Sequence, residues 1–305
     1  MKPIEDVRIL VVGDIMLDKY VVGNSIRISP EAPVPIVHVM DEYYTLGGCG
    51  NVVRNIAELG AQVDCLASIG NDESGMKVKD ELERIGANPV LIFGSKMTIV
   101  KERIIADQRK TQMLRVDREC IKNVHHSQVI SVFESQCTHK YDMIVISDYA
   151  KGMITDELMA YLKQEYNHKI IVDPKPSNAR MYNGVYMITP NENEWAQMLF
   201  SSAYVLDCVG YIIETKGKRG MVVMDNQADE SWNIDAEAVP VYNVSGAGDV
   251  VVAMISVCLS HGLNVLDSAY IANKCAGYAV TQPQTCVIPK DKFKEIYEAY
   301  FQGNV

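Results

Sequence analysis

The 305-residue sequence lacks several features that would assign it to a specialised class of protein. No apolar run approaches the ~18 residues of a membrane-spanning helix. Its eight cysteines include no C-x-x-C pair, and several lie in apolar segments, so we expect reduced core thiols in a cytoplasmic protein. Repeats, low-complexity tracts and linkers are absent too, and the N-terminal MKPIEDVRILVVGD is interpreted as a first strand rather than a signal peptide.

Positive charge is also scarce. The net charge of −10 argues against a general nucleic-acid-binding surface. A phosphate-bearing ligand must therefore meet a local cluster of cations. The candidates are Lys101, Arg103, Lys110, Arg115, Lys151 and Lys175. For most lysines and arginines a solvated surface position is the ordinary interpretation.

What the chain does contain is an alternation of short apolar runs with helical patterns. With 48% apolar residues, it can build a large globular core. Strands are predicted at residues 8–12, 63–69, 143–146, 170–172 and 186–188, and helices at 49–59, 72–85, 156–166 and 250–259. This order predicts βαβ units and an α/β fold with a mostly parallel sheet.

Several of these strands stop at a polar cluster. The clusters are Gly13-Asp14, Ser147-Asp148, Asp173-Pro174-Lys175 and Thr189-Pro190-Asn191. In an open α/β sheet, ligands bind beyond the carboxyl ends of the strands, so these clusters indicate a site along one edge of the sheet.

Two segments, about residues 15–46 and 95–118, break the alternation with strand-like residues and no helix between them. The second is predicted to form a hairpin that turns at residues 107–110. We interpret the two as a small β-subdomain that covers the strand ends as a lid and excludes water. An edge sheet or a dimer interface is the competing interpretation.

A glycine run, Asn243-Val244-Ser245-Gly246-Ala247-Gly248-Asp249, precedes the uniformly apolar helix predicted at 250–259. Free amide groups and the helix dipole at such a start favour anions. The run therefore predicts a phosphate site with Asp249 beside it as a base. A plain helix start is the alternative for a lone G-x-G.

Taken together, these motifs resemble the ribokinase-like (PfkB) carbohydrate kinases over essentially the whole chain. The matching motifs are Gly13-Asp14-x-x-x-Asp18, Gly47-Gly48 with Asn51, Asn191-x-x-Glu194, Thr215-Lys216-Gly217-x-x-Gly220 and Gly246-Ala247-Gly248-Asp249. The resemblance implies one kinase domain over residues 1–305. It also implies a three-layer sandwich with a mostly parallel central sheet and a small β-lid, through which two copies would form a homodimer.

The resemblance also implies roles for individual residues. Asp249 would take the proton of the acceptor hydroxyl, while the amides of Gly246, Ala247 and Gly248 hold the transferring phosphoryl group. Sugar hydroxyls would bind to Asp14, Asp18, Gly47, Gly48 and Asn51, and a substrate phosphate to Lys101, Arg103 and Lys175. ATP would lie against Asn191, Glu194, Thr215, Lys216, Gly217, Gly220, Ser245 and Asn273. Glu194 would organise Mg²⁺ indirectly, through water.

Within the family, further segments resemble the kinases of D-glycero-β-D-manno-heptose 7-phosphate. They are residues 27–37 (RISPEAPVPIV), Thr98-x-x-Lys101-x-Arg103, Gln112-x-x-Arg115-x-Asp117 and residues 147–152 (SDYAKG). The implied reaction uses ATP to phosphorylate the anomeric hydroxyl, giving the 1,7-bisphosphate for ADP-heptose and lipopolysaccharide core synthesis. Such kinases are often fused to a nucleotidyltransferase with an H-x-G-H motif, and we expect only the kinase part here.

The chain departs from the family pattern on the nucleotide side. Asn243 stands where the family usually has aspartate, Ser245 replaces threonine, and Val250 follows the base. The stretch between Glu194 and Thr215 is short, and a late loop is Gln-Pro-Gln-Thr at 282–285. Two alternatives therefore stay open: a PfkB kinase for another sugar or sugar phosphate, and a catalytically weak, sugar-phosphate-binding regulatory protein.

Overall fold

The fold is built on two sheets. The computed structural model describes residues 1–106, 111–166, 169–206, 208–237 and 239–303. In chain order the described strands are β1 (Arg8–Gly13), β2 (Ile15–Ile28), β3 (Pro35–Gly48), β4 (Gln62–Gly70), β5 (Asn88–Ser95), β6 (Ile99–Ala106), β7 (Thr111–Arg118), β8 (Met143–Ser147), β9 (Ile170–Asp173), β10 (Met187–Ile188), β11 (Tyr211–Thr215), β12 (Met221–Asp225) and β13 (Glu230–Ile234).

The larger sheet has nine strands in the order β13-β12-β11-β10-β9-β8-β1-β4-β5. Neighbouring strands from β5 to β11 pair in parallel, and β12 and β13 close one side as antiparallel strands. The four strand ends with polar clusters belong to β1, β8, β9 and β10, which are consecutive neighbours in this order. Those clusters therefore meet at one edge of the sheet.

Helices cover both faces of the nine-stranded sheet. They are α1 (Cys49–Glu58), α2 (Glu73–Arg84), α3 (His126–Gln136), α4 (Asp156–Tyr166), α5 (Glu192–Leu206), α6 (Ala247–His261), α7 (Val265–Val280) and α8 (Lys290–Phe301). Strand β1 shows why two apolar cores form. Ile9 and Val11 face the core with α1, α2, α6, α7 and α8, while Leu10 and Val12 face the core with α3, α4 and α5. The predicted three-layer sandwich is confirmed.

The smaller sheet has four strands in the order β3-β2-β6-β7. It leaves the larger sheet at the carboxyl end of β1, where β2 begins two residues after Gly13, and it returns through β3 directly into α1. Strands β2, β6 and β7 lie within the segments predicted at about 15–46 and 95–118, and β3 continues two residues beyond the first segment, to Gly48. Strands β6 and β7 pair antiparallel, whereas the predicted turn at 107–110 lies outside the described residues.

The apolar helix predicted at 250–259 is α6, which is buried along almost its whole length. It ends at His261, and Gly262 follows in the left-handed conformation at φ 113°. All eight cysteines are free thiols. Over the described residues, no helix combines the length and apolar character needed to cross a membrane.

Candidate active site

The amino end of α6 carries the glycine run. Gly246 caps the helix with φ 81°, and a Cβ there would lie 2.7 Å from both the Asn51 Nδ2 and the Thr285 Cγ2 atoms. Only glycine fits this position. Within the described part of the chain, the amides of Gly248 and Asp249 meet no acceptor, as expected for a first helical turn. Two free amides at the positive end of a helix are suited to binding an anion, so the predicted phosphate site stays a prediction that this geometry permits.

Not every amide of the run is free. The amide of Ala247, which the sequence assigned to the phosphoryl group, donates to the Val244 carbonyl at 3.3 Å. Because this hydrogen bond is long, the Ala247 amide can leave the Val244 carbonyl and donate to a charged acceptor instead. The anion site therefore consists first of the Gly248 and Asp249 amides.

Asp249 is buried in the first turn of α6. Its Oδ2 accepts a hydrogen bond from Asn51 Nδ2 at 2.8 Å, and its Oδ1 accepts one from the Tyr149 hydroxyl at 3.0 Å. Burial raises the pKa of Asp249 to about 6, against the lowering effect of these two donors and of Lys101, while Asp18 adds to the rise. A carboxylate with that pKa is ionised at neutral pH and accepts protons well.

Asn51 reaches Asp249 because of a sharp turn between β3 and α1. Gly48 occupies that turn with φ 58°, and a Cβ there would overlap the Asp14 carbonyl oxygen. The helix starts at once, so Asn51 lies in its first turn with its side chain directed at Asp249. Its Oδ1 atom is buried and meets no hydrogen-bond donor among the described residues.

Asp14 holds a loop rather than standing free. Its Oδ2 accepts the amides of Tyr149 and Lys151, each at 2.9 Å, and its Oδ1 accepts the amide of Met153 at 3.0 Å. The sequence assigned this carboxylate to sugar hydroxyls, and that role stays a prediction. The contacts add a second one, since three amides fix the loop to the end of β1.

The smaller sheet brings cations to the same edge. Arg103 Nη1 pairs with Asp18 Oδ1 at 2.6 Å, and a Cβ on Gly47 would overlap the Asp18 carboxylate. Lys101 is half-buried, its Nζ lies 5.7 Å from the centre of the Tyr149 ring, and burial lowers its pKa. Among the described residues Lys101 has no carboxylate partner, so it is the cation most available to an anionic ligand.

Asn191 and Glu194 form a reciprocal cap at the start of α5. The Asn191 amide donates to Glu194 Oε2 at 3.1 Å, and the Glu194 amide donates to Asn191 Oδ1 at 3.0 Å. Lys175 Nζ contacts the other Glu194 oxygen at 3.4 Å. The sequence grouped Lys175 with Lys101 and Arg103. The structure instead sets it beside Glu194, because Lys175 follows β9 whereas the other two cations lie on β6.

Asp173 was noticed in the sequence only as part of a polar strand end. It lies at the end of β9, and within the described residues its carboxylate accepts no hydrogen bond. Burial and the neighbouring carboxylates of Asp249 and Glu194 raise its pKa well above the usual range, against the effect of Lys175. A cation at this point would relieve the repulsion.

The turn after β11 contains the predicted nucleotide motif. Thr215 bridges to Asn191, so this strand end lies next to the start of α5. The Lys216 amide donates to the Gly220 carbonyl at 2.7 Å and closes the turn. Gly217 and Gly220 have φ of 54° and 84°, which explains both glycines.

Two further residues assigned to the nucleotide have structural contacts. The Ser245 amide donates to Asn243 Oδ1 at 2.9 Å, which forms a small turn before the helix cap. Asn273, buried on α7, donates from Nδ2 to the Asp235 carbonyl at 2.8 Å. That contact ties α7 to the chain leaving β13, and a direct contact of Asn273 with ATP remains a prediction.

The late loop at 282–285 connects the two halves of the site. Gln284 Nε2 donates to the Tyr43 hydroxyl at 3.0 Å, and Tyr43 stacks on Tyr20 with ring centres 4.8 Å apart. Thr285 lies against Gly246. The sequence showed this loop only as a departure from the family, since Tyr43, the partner of Gln284, is 241 residues away in the chain.

The profile of the pfkB family of carbohydrate kinases matches residues 7–292. The chain belongs to this family. It is therefore a sugar kinase, a phosphotransferase that has an alcohol group as acceptor, and kinases of this family use ATP.

Two curated relatives are similar to the chain over most of its length. The chain is 34% identical over 307 residues to the bifunctional protein HldE of Desulfatibacillum aliphaticivorans, covering 94% of this chain and 62% of the relative. It is 35% identical over 317 residues to the bifunctional protein HldE of Sulfurimonas denitrificans, covering 96% of this chain and 64% of the relative. The chain thus spans less than two thirds of these relatives.

Solved structures support the fold. Phosphofructokinase-2 from Escherichia coli, in complex with potassium, superposes with a TM-score of 0.78 at 16% identity, covering 97% of this chain and 99% of the other. Ribokinase from Thermotoga maritima gives 0.72 at 17% identity, covering 96% and 99%. The fold is ribokinase-like, as the sequence predicted.

Proposed function

We propose that the protein transfers the γ-phosphoryl group of ATP to the anomeric hydroxyl of D-glycero-β-D-manno-heptose 7-phosphate. The observation that carries the proposal is the position of Asp249, a buried carboxylate with a pKa near 6 beside free amides at the start of α6. The specific sugar rests on the heptose-kinase-like segments and on relatives named HldE. The 1,7-bisphosphate would feed ADP-heptose and lipopolysaccharide core synthesis, in the cytoplasm.

In this mechanism the acceptor hydroxyl lies against Asp249, which takes its proton as the oxygen attacks phosphorus. The Gly248 and Asp249 amides and the positive end of α6 stabilise the charge that shifts onto the transferring phosphoryl group. The Asn51 side-chain amide would keep the carboxylate oriented. The smaller sheet would act as a lid that excludes water.

Asp173 and Glu194 would hold Mg²⁺. The raised pKa of Asp173, and the absence of a hydrogen-bond donor to its carboxylate among the described residues, fit a bound cation. Within the described residues no group of three or more His, Cys, Asp or Glu side chains is arranged around a metal. That suits Mg²⁺, which usually takes one or two carboxylates together with phosphate oxygens and water. When bound, the ion neutralises the phosphate chain, and Lys175 would add a charge from the same side.

The sugar would bind between the end of β1 and the smaller sheet. Asp18 and Asn51 offer an acceptor and an unpaired buried oxygen for hydroxyl groups. Lys101 and Arg103 would bind the phosphate at the far end of the sugar. Arg103 would have to share its guanidinium between Asp18 and that phosphate, whereas Lys101 is free to bind it directly.

The test is ADP release from magnesium ATP with a panel of sugars and sugar phosphates. We expect the heptose 7-phosphate to give the highest kcat/KM, and phosphorus NMR of its product to contain a new anomeric phosphate. A higher kcat/KM with another sugar would favour the first alternative, a different PfkB kinase. Binding of sugar phosphates without turnover on any of them would favour the regulatory protein.

The smaller sheet would also mediate a homodimer. Several of its apolar side chains are exposed, namely Ile26, Ile28, Val39, Met40, Met113 and Leu114. Such a concentration on one small sheet is typical of an interaction surface. We expect Met40→Glu to convert a dimer into a monomer, as measured by sedimentation at micromolar concentrations. Phe200→Glu is the control, because Phe200 is 97% exposed on α5, outside this sheet. A monomeric parent protein would contradict the proposal.

Asn243 gives a prediction about monovalent cations. Its Oδ1 already accepts the Ser245 amide, and a neutral amide is a weak ligand for a cation. If an aspartate at this position helps to hold such an ion, turnover here should depend little on potassium, and Asn243→Asp should introduce the dependence while keeping the turn. Turnover in sodium, potassium and a bulky organic cation checks both halves. Strong potassium activation of the parent would contradict the prediction.

A further inference from the structure

Tyr149 donates its hydroxyl to the proposed base, a contact that the sequence motifs did not assign. The hydroxyl lies 3.0 Å from Asp249 Oδ1, opposite the Asn51 amide on Oδ2. We propose that Tyr149 is a positioning residue, whose hydroxyl fixes the Asp249 carboxylate and stabilises its ionised form. The inference rests on the proposed role of Asp249 as the base.

The backbone around Tyr149 is held more firmly than an ordinary loop. The buried Asp14 carboxylate accepts the amides on either side of Ala150, those of Tyr149 and Lys151. Ala150 itself has φ 54°, a left-handed conformation that costs energy for a residue with a side chain. Such a conformation persists only where neighbouring contacts impose it, so the loop geometry is fixed by its surroundings.

Asp148 supplies the second anchor. Its Oδ1 accepts the Ala150 amide at 2.7 Å, and its Oδ2 accepts the Tyr182 hydroxyl and Asn178 Nδ2, each at 2.7 Å. Asp148 is buried, so these charge-assisted contacts are strong. The carboxylates of Asp14 and Asp148 therefore accept the amides of Tyr149 and of the two residues after it. These contacts give the Tyr149 hydroxyl a defined position next to Asp249.

Towards the ionised Asp249 carboxylate the hydroxyl acts as the donor. Burial and the carboxylates of Asp249 and Asp173 raise the pKa of Tyr149 well above its usual range, so the phenol is neutral. Other groups also face Asp249. Lys101 from β6 stabilises its charge, Asp18 from β2 and Asp173 from β9 oppose it, and Asn51 from α1 and the neutral Cys49 thiol complete its surroundings.

The contact leaves room for the reaction. A carboxylate oxygen can accept two hydrogen bonds, so one site remains on Oδ1 and one on Oδ2 for the acceptor hydroxyl. Tyr149 therefore need not be displaced when the sugar binds. Its donor lowers the basicity of Asp249 somewhat, in exchange for a fixed orientation and a carboxylate that stays ionised as the pH falls.

The pH dependence of kcat/KM tests this role with Tyr149→Phe, using magnesium ATP and the heptose 7-phosphate, or whichever sugar of the panel the parent prefers. The acid limb of kcat/KM reports the base of the free enzyme. Without the phenol hydroxyl, the ionised carboxylate loses one donor. The acid limb should move to higher pH by about 0.5 to 1 pH unit, which is the effect of one such hydrogen bond, and activity should recover at alkaline pH.

Tyr141→Phe is the matched control. Tyr141 is also a buried tyrosine that donates to a carboxylate, Asp64, but this pair lies near the start of β4 and does not contact Asp249 or its loop. Its loss should leave the position of the acid limb unchanged. If Asp249→Asn is inactive, two results with Tyr149→Phe would overturn the inference. One is an acid limb that does not shift, and the other is a loss of turnover that is equal at every pH. An active Asp249→Asn variant overturns both this inference and the proposed base.

Discussion

Asp249→Asn is expected to leave the fold and sugar binding nearly intact while turnover falls by ~10²-fold or more, the usual contribution of a general base. The change is close to isosteric and removes only the proton acceptor. One side-chain oxygen remains to accept from Asn51 or Tyr149, so the surroundings can stay in place. The measurement is kcat for parent and variant, together with sugar binding by calorimetry.

Asp64→Asn is a suitable control for this experiment. Asp64 is also buried and accepts a tyrosine hydroxyl, that of Tyr141 at 2.5 Å. It lies near the start of β4, however, away from the carboxyl ends of the strands. The control should lose stability but keep the kcat of its folded fraction. Near-parental kcat in Asp249→Asn would show that another group takes the proton.

The fold could be predicted largely from local patterns. Apolar runs of three or four residues that stop at Gly13, Ser147 or Asp173 correspond to buried strands, because both faces of a parallel sheet are covered by helices. The ends of the helices could be predicted from their capping residues. Asp72 caps α2 through the Gly75 amide, and Gly262 ends α6 in the left-handed conformation.

The pairing within the smaller sheet could not be predicted in the same way. Strand β2 pairs antiparallel with β3 but parallel with β6, which is more than 70 residues further along the chain. Strand patterns give the face of each residue but not its partner. The pairing sets Asp18 opposite Lys101 and Tyr20 opposite Arg103, and so it determines which cations face the site.

Within the site, residue types were easier to predict than their contacts. Asn191 and Glu194 were assigned to ATP by resemblance, and Glu194 also to magnesium. N-x-x-E before a helix is also a capping pattern, however, and the structure has that cap. Tyr149 belongs to the SDYAKG segment at residues 147–152, but its contact with Asp249 joins residues that are 100 apart in the chain. Such contacts depend on the folded loop, which sequence spacing does not describe.

Removing the charge of Lys101 should weaken binding of a phosphorylated sugar far more than binding of its unphosphorylated analogue. A charge-assisted hydrogen bond contributes ~1.5–3 kcal/mol, so KM for the sugar phosphate should rise by ~10- to 100-fold in Lys101→Met. Methionine keeps the length and apolar part of the side chain. Arg103→Met should act in the same direction, although it also leaves Asp18 without its partner.

Lys19→Met separates this effect from damage to the smaller sheet. Lys19 follows Asp18, the residue opposite Lys101 in the β2–β6 pairing, and its ammonium group pairs with Glu42 and Glu102 on the other face of the sheet. Its loss should change KM for both sugars equally and little, since the Lys19 side chain lies on the face of the sheet opposite to that of Lys101. If Lys101→Met weakened both sugars to the same extent, Lys101 would act instead on Asp249 or on the transferring phosphoryl group, and the substrate phosphate would bind elsewhere.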